Sequence, residues 1–160
     1  TTRSGTIGPG VIFLLQKSGW SLNDVENCLN RESGILGVSG ISDNMKDVID
    51  AMKNGDKKAK LAVEMFVFRT RAFMGAYFIS LGKIDAVGFT GGIGVNSDLV
   101  RKMICAALEP YGLKLNDAKN KKAVDVEANI SAPGSKIKAF VIQRNEKILV
   151  ARDTHKIVKG

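Results

Sequence analysis

The stretch DAVGFTGGIGVNS, residues 85–97, constrains the fold more than any other part of the chain. Its first five residues form a short apolar run, which predicts a buried strand at 85–89. Glycines then stand at positions 91, 92 and 94, and a helical pattern over 97–109 follows, with Asn96 or Ser97 as its cap. Glycine allows a backbone to approach a ligand closely, and a helix start offers open N–H groups to anions. This unit is either a tight structural turn or a site for phosphate or sugar.

The remaining periodicity predicts helices before this unit and strands after it. We expect a short buried helix at 10–18 and further helices at 22–30, 44–53 and 57–81. A loop is expected at 33–42. After residue 112 we expect strands at 124–130 and 136–142, then a helix from Glu146 to Ile157 capped by Asn145. This order predicts an α/β chain. If the strands preceding 90–97 and 143–147 are parallel neighbours, those two junctions would form one site.

The composition limits the class of protein. A length of 160 residues suits one domain or part of one, and 44% hydrophobic with 25% charged residues is ordinary for a soluble protein. No apolar run approaches the ~20 residues of a membrane helix. No signal peptide is visible, so we expect a cytoplasmic protein. Cys28 and Cys105 lie in helical patterns without a CxxC partner, which favours two buried thiols over a disulfide.

The net charge of +8 leaves three kinds of partner open: nucleic acid, an acidic surface or small anions. The lysines are spread along the chain and the aromatic residues do not interleave with them, which disfavours a single-strand-binding surface. His155 is the sole histidine, so neither a hydrolytic triad nor a zinc site is supported. Solvated helix faces are the simplest reading of the charge.

Two charged residues outside the glycine turn could carry chemistry. Arg3 lies among small residues in a loop at 1–9, where its guanidinium could bind a phosphoryl or carboxylate group or simply face solvent. Glu146 follows a strand end, where a carboxylate either caps the helix or ligates Mg²⁺. The glycine turn is not a Walker A loop, because no Gly-Lys-Ser/Thr follows it.

Several motifs in a fixed order resemble the acetate and propionate kinase family. They are TRSG at 2–5 with Pro9, SGILGVSG at 33–40, FTGGIG at 89–94, residues 116–120, and NE at 145–146 followed by ARDT at 151–154. The resemblance covers essentially all 160 residues. It identifies residues 1–160 as the C-terminal portion of a longer chain, a nucleotide-binding domain whose N-terminal domain is absent.

The resemblance implies an RNase H-like domain with helical insertions, the fold of sugar kinases, Hsp70 and actin. It implies reversible phosphoryl transfer between ATP and acetate or propionate, giving an acyl phosphate and ADP, with Mg²⁺ as cofactor. We expect nucleotide and carboxylate as partners rather than nucleic acid or a membrane. An uncovered sheet edge would favour pairing with another chain, and we expect a homodimer.

The motif match also implies roles for individual residues. Arg3 takes the place of the arginine that stabilises the transferring phosphoryl group, and Glu146 that of the magnesium-binding glutamate. The adenosine contacts match Asn44, Met45 and Lys46 in one segment and Gly92, Ile93, Gly94, Val95 and Asn96 in another. The family usually has Asp-Met-Arg at the first segment, an acid in place of Val95, and threonine preceded by proline in place of Gln143-Arg144.

A different reading of the same fold is a non-catalytic nucleotide-binding or dimerisation module. The helix at 57–81 has an apolar stripe that predicts buried core first and an interface second, formed by Leu61, Met65, Phe68, Ala72, Ala76 and Ile79. On the enzyme reading, these 160 residues hold about half an active site and are inactive alone.

Overall fold

The computed structural model describes residues 1–144 and 146–159, apart from the side chains of Glu146, Lys147 and Leu149. The chain divides into two compact units, Thr1–Phe73 and Met74–Gly160. The first unit contains α1 (Gly10–Lys17), α2 (Leu22–Arg31), α3 (Gly34–Ser39), α4 (Met45–Lys53) and the part of α5 (Lys57–Leu81) up to Phe73.

The helix starts of the first unit follow capping chemistry that the sequence displays. Ser21 and Asp24 form a capping box, in which Asp24 N–H donates to Ser21 Oγ and Ser21 N–H donates to Asp24 Oδ2, both at 3.1 Å. Asn44 caps α4 by accepting from Lys46 N–H at 3.0 Å. The helices predicted at 22–30, 44–53 and 57–81 are confirmed.

The loop predicted at 33–42 is wrong, because α3 occupies most of it. Its glycines set helix boundaries rather than preventing a helix. Gly34 begins α3 with φ of +64°, and Gly40 ends it in the left-handed region at φ +68°. Between them, Gly37 N–H donates to Ser33 O at 3.0 Å.

Two predictions of burial in the first unit are also wrong. No residue of α1 is buried, and Phe13 and Leu14 are 60% and 64% exposed. On α5 every residue of the predicted stripe is exposed, whereas Ala59, Ala62, Val63 and Val67 are buried. The helix is apolar on two faces, and the smaller side chains are the ones that pack in the core of this unit, because they allow closer approach.

The second unit contains a small mixed sheet. After the end of α5 come β1 (Ala86–Phe89), α6 (Gly91–Asn96), α7 (Asp98–Ala106), a 3₁₀ turn (Glu109–Tyr111), α8 (Asp117–Lys122), β2 (Ala128–Asn129), β3 (Lys138–Val141) and α9 (Glu146–Lys159). The strand order is β1-β3-β2. β1 pairs with β3 in parallel, from Ala86 opposite Lys138 to Phe89 opposite Val141, and β2 pairs with β3 antiparallel.

The parallel pairing confirms that the segments after β1 and β3 leave the sheet at one edge. The strand predicted at 85–89 is confirmed as β1, but its predicted burial is wrong, since only Phe89 of this strand is buried and β1 lies at an edge of the described sheet. The predicted strand 124–130 shortens to β2. The core comes from α7, β3 and their connections, chiefly Val100, Ile104, Leu113, Ile130 and Val141.

Further expectations concerned the helix caps, the two cysteines and a membrane-spanning helix. Ser97 caps α7, since its Oγ accepts from Val100 N–H at 3.3 Å, whereas Asn96 ends α6. Cys105 is buried, Cys28 is partly buried, and neither forms a disulfide. Asn145, predicted to cap α9, lies outside the described residues. Within the described part of the chain, none of the helices is both long and apolar enough to cross a bilayer.

We predict that two glycine-to-alanine substitutions have opposite effects on stability. At Gly34 a Cβ would lie 2.6 Å from Thr1 O and 2.9 Å from Arg3 O, on a backbone with φ of +64°. Gly34→Ala is therefore expected to cost about 2 kcal/mol or more of unfolding free energy. Gly75 lies inside α5 with open space around it, so Gly75→Ala is expected to stabilise by about 0.5–1 kcal/mol. Urea unfolding measures both, and an unchanged Gly34→Ala would contradict the close approach.

Candidate functional site

The backbone of residues 1–4 is fixed against α2 and α3. Leu36 N–H donates to Thr1 O at 3.2 Å, Ser33 N–H donates to Thr2 O at 2.8 Å, and Ser4 N–H donates to Leu29 O at 2.8 Å. The Arg3 side chain is exposed although its backbone lies between these anchors. The sequence thus presents a guanidinium to solvent from a defined position, as anion recognition requires.

Arg3 borders two cavities of the first unit. One has a volume of about 350 Å³, within the usual range for small-ligand sites. It combines polar groups near the chain start with an apolar wall from α3 and α5, and it is lined by Thr1, Arg3, Ser4, Gly5, Thr6, Gly34, Ile35, Val38, Ala62, Met65, Phe66 and Arg69. The other, of about 590 Å³, is polar and is lined by Arg3, Asn23, Glu26, Asn27, Asn30 and Arg31.

The first cavity holds a second arginine that sequence reasoning missed. Arg69 projects from α5, where Nη2 donates to Thr6 Oγ1 at 3.0 Å, and its guanidinium carbon lies 5.6 Å from the ring centroid of Phe73. An arginine four residues before a phenylalanine on one helix was a visible signal for such stacking. Two cations around one cavity suit a carboxylate or phosphoryl group.

The first predicted nucleotide segment lies at the start of α4, and none of its residues is among those lining either cavity. The side chain of Asn44 caps the helix and that of Met45 is buried, so both are committed to the fold. Lys46 is exposed.

The second predicted nucleotide segment is a short helix rather than a loop. Thr90 enters α6 in an extended conformation, and Gly91 has φ of +72°. Gly92 and Asn96 are exposed, whereas Val95 is buried. The side-chain amide of Asn96 donates to Gly92 O at 2.9 Å, which closes the turn on itself. A Cβ on Gly94 would lie 3.2 Å from the backbone of Phe89, so glycine allows α6 to pack against the end of β1.

A buried arginine holds α6 in place by hydrogen bonds. Arg101, on α7, is 0% exposed. Its Nη1 donates to Gly94 O and Val95 O at 2.8 Å each, its Nε donates to Asn120 Oδ1 at 2.7 Å, and its Nη2 donates to Asn120 O and Ala123 O at 2.8 and 2.7 Å. These five hydrogen bonds use every donor of the guanidinium.

The electrostatics of Arg101 follow from its position. Burial lowers the pKa of Arg101 from its ordinary value, and electrostatic interaction with Asp98 and, to a smaller extent, with Cys105 acts in the opposite direction. Asn120 is itself held, since its amide donates to Asp98 O at 2.8 Å. The sequence signal for Arg101 was a charge on the apolar stripe of α7, beside Val100, Ile104 and Cys105. Sequence reasoning used the 116–120 motif only as a family resemblance.

The predicted metal ligand is not described. Glu146 begins α9, but its side chain lies outside the described residues. Among the described side chains, no group of three or more His, Cys, Asp or Glu is placed to hold a metal ion. His155 is exposed on α9.

Comparison with known proteins identifies relatives. The family model described as the Acetokinase family matches residues 1–152. Acetate kinase of Acetivibrio thermocellus is 42% identical over 160 residues, which are 99% of this chain and 40% of that protein. Acetate kinase of Carboxydothermus hydrogenoformans is 44% identical over 158 residues, which are 98% of this chain and 39% of that protein.

Solved structures agree in fold. The crystal structure of Porphyromonas gingivalis acetate kinase has a TM-score of 0.87 at 36% identity, covering 98% of this chain and 40% of that one. That of a propionate kinase from Francisella tularensis has a TM-score of 0.84 at 37% identity, covering 94% and 38%. These matches confirm the predicted α/β fold. The chain spans about two-fifths of the length of these relatives, and the predicted C-terminal placement of the chain is not confirmed by the match and stays a prediction.

We predict that Arg101 stabilises the second unit far more than its neighbour Lys102. Arg101→Met would remove all five guanidinium hydrogen bonds, and only Asn120 O would keep another donor, Ala123 N–H at 3.3 Å. We therefore expect it to cost about 3–5 kcal/mol of unfolding free energy. Lys102→Met removes an exposed ion pair with Asp117 and is expected to cost at most about 1 kcal/mol. Denaturant unfolding of both variants is the measurement, and equal costs would contradict the assigned role.

Proposed function

Because the chain belongs to the acetokinase family, we propose that the intact protein transfers a phosphoryl group reversibly between ATP and acetate or propionate. The products of the forward reaction are an acyl phosphate and ADP. The remainder of the active site is proposed to come from polypeptide outside these 160 residues, since the relatives are about two and a half times as long. A cytoplasmic location belongs to this proposal, because the reaction draws on ATP inside the cell.

The observation that carries the proposal is the presentation of Arg3. Its backbone is anchored to α2 and α3, while its exposed guanidinium borders a cavity that a second arginine also lines. Phosphoryl transfer relies on positioning and charge stabilisation more than on covalent chemistry by the protein. An arginine with a fixed backbone can bind the equatorial oxygens of the phosphoryl group as negative charge spreads over them. Arg3 is the proposed catalytic residue of this chain.

Nucleotide contacts are proposed at the two matched segments. In the first, Asn44 and Lys46 are exposed, Asn44 also caps α4, and Met45 is buried beneath the start of that helix. In the second, Gly92 and Asn96 are exposed, Val95 anchors α6 in the core, and Ile93 and Gly94 are partly buried. The glycines leave backbone accessible where a planar base or ribose could lie against it.

A role for Mg²⁺ is proposed from the family resemblance alone, with Glu146 as its ligand. When bound, the metal would neutralise charge on the nucleotide phosphates. Among the described residues no cluster of three or more His, Cys, Asp or Glu side chains is placed to hold a metal ion. Arg3 is therefore the described residue to which we assign the chemistry of this chain.

A non-catalytic nucleotide-binding or dimerisation module is the second candidate. The exposed apolar stripe on α5 favours it, because that surface serves association rather than chemistry. The replacements at Asn44, Lys46 and Val95, relative to the family pattern, point the same way.

We predict that Arg3→Ala separates the two candidates. In the intact protein with Mg-ATP and acetate or propionate, kcat is expected to fall about 100- to 1000-fold, as when one charge-stabilising donor is removed. The dissociation constant for ATP is expected to stay within about twofold, because the interaction is made in the transition state. Lys17→Ala, an exposed change at the end of α1, is the control. Undiminished turnover would contradict the role of Arg3, and a wild-type protein that forms no acyl phosphate from acetate, propionate or butyrate would contradict the enzyme.

A homodimer is proposed as the assembly, with the exposed stripe of the first unit as the contact. Leu61, Met65 and Phe68 lie on one face of α5 and are 51%, 46% and 69% exposed.

We predict that the intact protein has twice the mass of one chain in sedimentation and that Phe68→Glu shifts it to the mass of one chain. Lys58→Glu, an exposed change on the same helix, should leave the dimer intact. A dimeric mass in Phe68→Glu would contradict this contact.

A further inference from the structure

Arg69 contacts the segment that carries Arg3 at a point just beyond it. Its Nη2 donates to Thr6 Oγ1 at 3.0 Å, and a Cβ on Gly5 would lie 3.4 Å from the same Nη2 atom. The ring of Phe73, one turn further along α5, lies against the guanidinium with 5.6 Å between guanidinium carbon and ring centroid. The stacking restricts the guanidinium, so the hydrogen bond to Thr6 comes from a donor with limited freedom.

The two sides of Arg3 are held in different ways. Before and around it, the backbone of residues 1–4 is tied to α2 and α3 by main-chain hydrogen bonds. Residues 5–7 are fully described, and their one hydrogen bond to the rest of the described chain is the bond that Arg69 donates to Thr6. Gly5 has φ of +71°, so the chain turns sharply between Arg3 and Thr6. The course of this turn therefore depends on Arg69.

We infer that Arg69 is a positioning residue for Arg3. On this proposal, which rests on the proposed function, Arg69 fixes Thr6 and Gly5 and thereby the direction from which the exposed Arg3 side chain meets the phosphoryl group. The same cavity is lined by both guanidiniums, so Arg69 also adds positive charge beside an anion bound to Arg3. Misplacement of a reacting or stabilising group by about 1 Å can lower a rate about 100-fold, which makes such support measurable in kcat.

The test is a double-mutant cycle in the intact protein. Arg69→Met removes the guanidinium with little change in length, Thr6→Val removes only the hydroxyl, and the double variant combines them. Lys58→Met, an exposed change on the same helix, is the control. The measurements are kcat, KM for ATP, KM for the carboxylate, the melting temperature, and the hydrogen exchange of backbone amides at residues 4–8.

We expect Arg69→Met to lower kcat about tenfold or more and Thr6→Val to lower it several-fold, with KM for ATP unchanged in both. The double variant should be no slower than Arg69→Met, because both changes break one contact. Within residues 4–8, amide exchange should be faster in both single variants at Ser4, whose N–H donates to Leu29 O. Arg69→Lys, which keeps the charge without the planar fork, should recover only part of kcat.

Other outcomes overturn the inference. If Thr6→Val has wild-type kcat while Arg69→Met is slow, Arg69 acts on the anion directly and does not work through Thr6. If the kcat losses of Arg69→Met and Thr6→Val multiply in the double variant, the two residues do not act through one shared contact. If the melting temperature falls while kcat is unchanged, Arg69 has only a structural role. Should the wild type form no acyl phosphate, the proposed function fails, and the exchange data alone then decide whether Arg69 holds residues 4–8.

Discussion

The second unit depends on a charge placed where a hydrophobic residue would be expected. Arg101 lies on the inner face of α7, yet no solvent reaches it and no donor is left over. Its five acceptors belong to α6 and to the end of α8, two short helices that have little apolar surface of their own. A six-residue helix is too short to be stable alone. The guanidinium supplies what α6 lacks, a directional attachment that fixes the glycine turn after β1.

In the first unit the segment that carries Arg3 is held by main-chain contacts rather than by a buried charge. Gly34 has no Cβ, so the carbonyls of Thr1 and Arg3 can lie against the start of α3. That contact and the hydrogen bonds of residues 1–4 leave the Arg3 side chain as the free part of a fixed segment. In both units the residues proposed to contact ligand include exposed ones. In the first unit backbone hydrogen bonds and Gly34 hold them in place, and in the second unit Arg101, whose donors are all used, does so. The proposed function thus depends both on exposed groups such as Arg3 and on the buried groups that hold them in place.

Sequence reasoning predicted the elements whose signals are local. The helices predicted at 22–30, 44–53 and 57–81 each depend on residues within a few positions, and all three are confirmed. The parallel pairing of β1 and β3, which the sequence left as a condition for the two junctions to form one site, is present in the structure. The helix α3 was missed because its glycines look like loop residues until Thr1 and Arg3 are placed beside Gly34. Arg69 and Arg101 were missed because their partners are distant in sequence. Arg69 donates to Thr6, which is 63 residues away, and Arg101 donates to Asn120 and Ala123, which are 19 and 22 residues away.

The largest error, the burial of α5, follows from a helix with two apolar faces. Counting apolar residues at three- and four-residue spacing selects the bulky stripe of Leu61, Met65 and Phe68, but the core takes Ala59, Ala62, Val63 and Val67 instead. A surface helix needs one apolar face, and a helix that is apolar on opposite sides is typical of a buried position. Removing such a stripe from water contributes roughly 25 cal/mol per Å² of apolar area, which favours association with a partner. The second copy proposed here would cover it, and α5 would then have a core on each side.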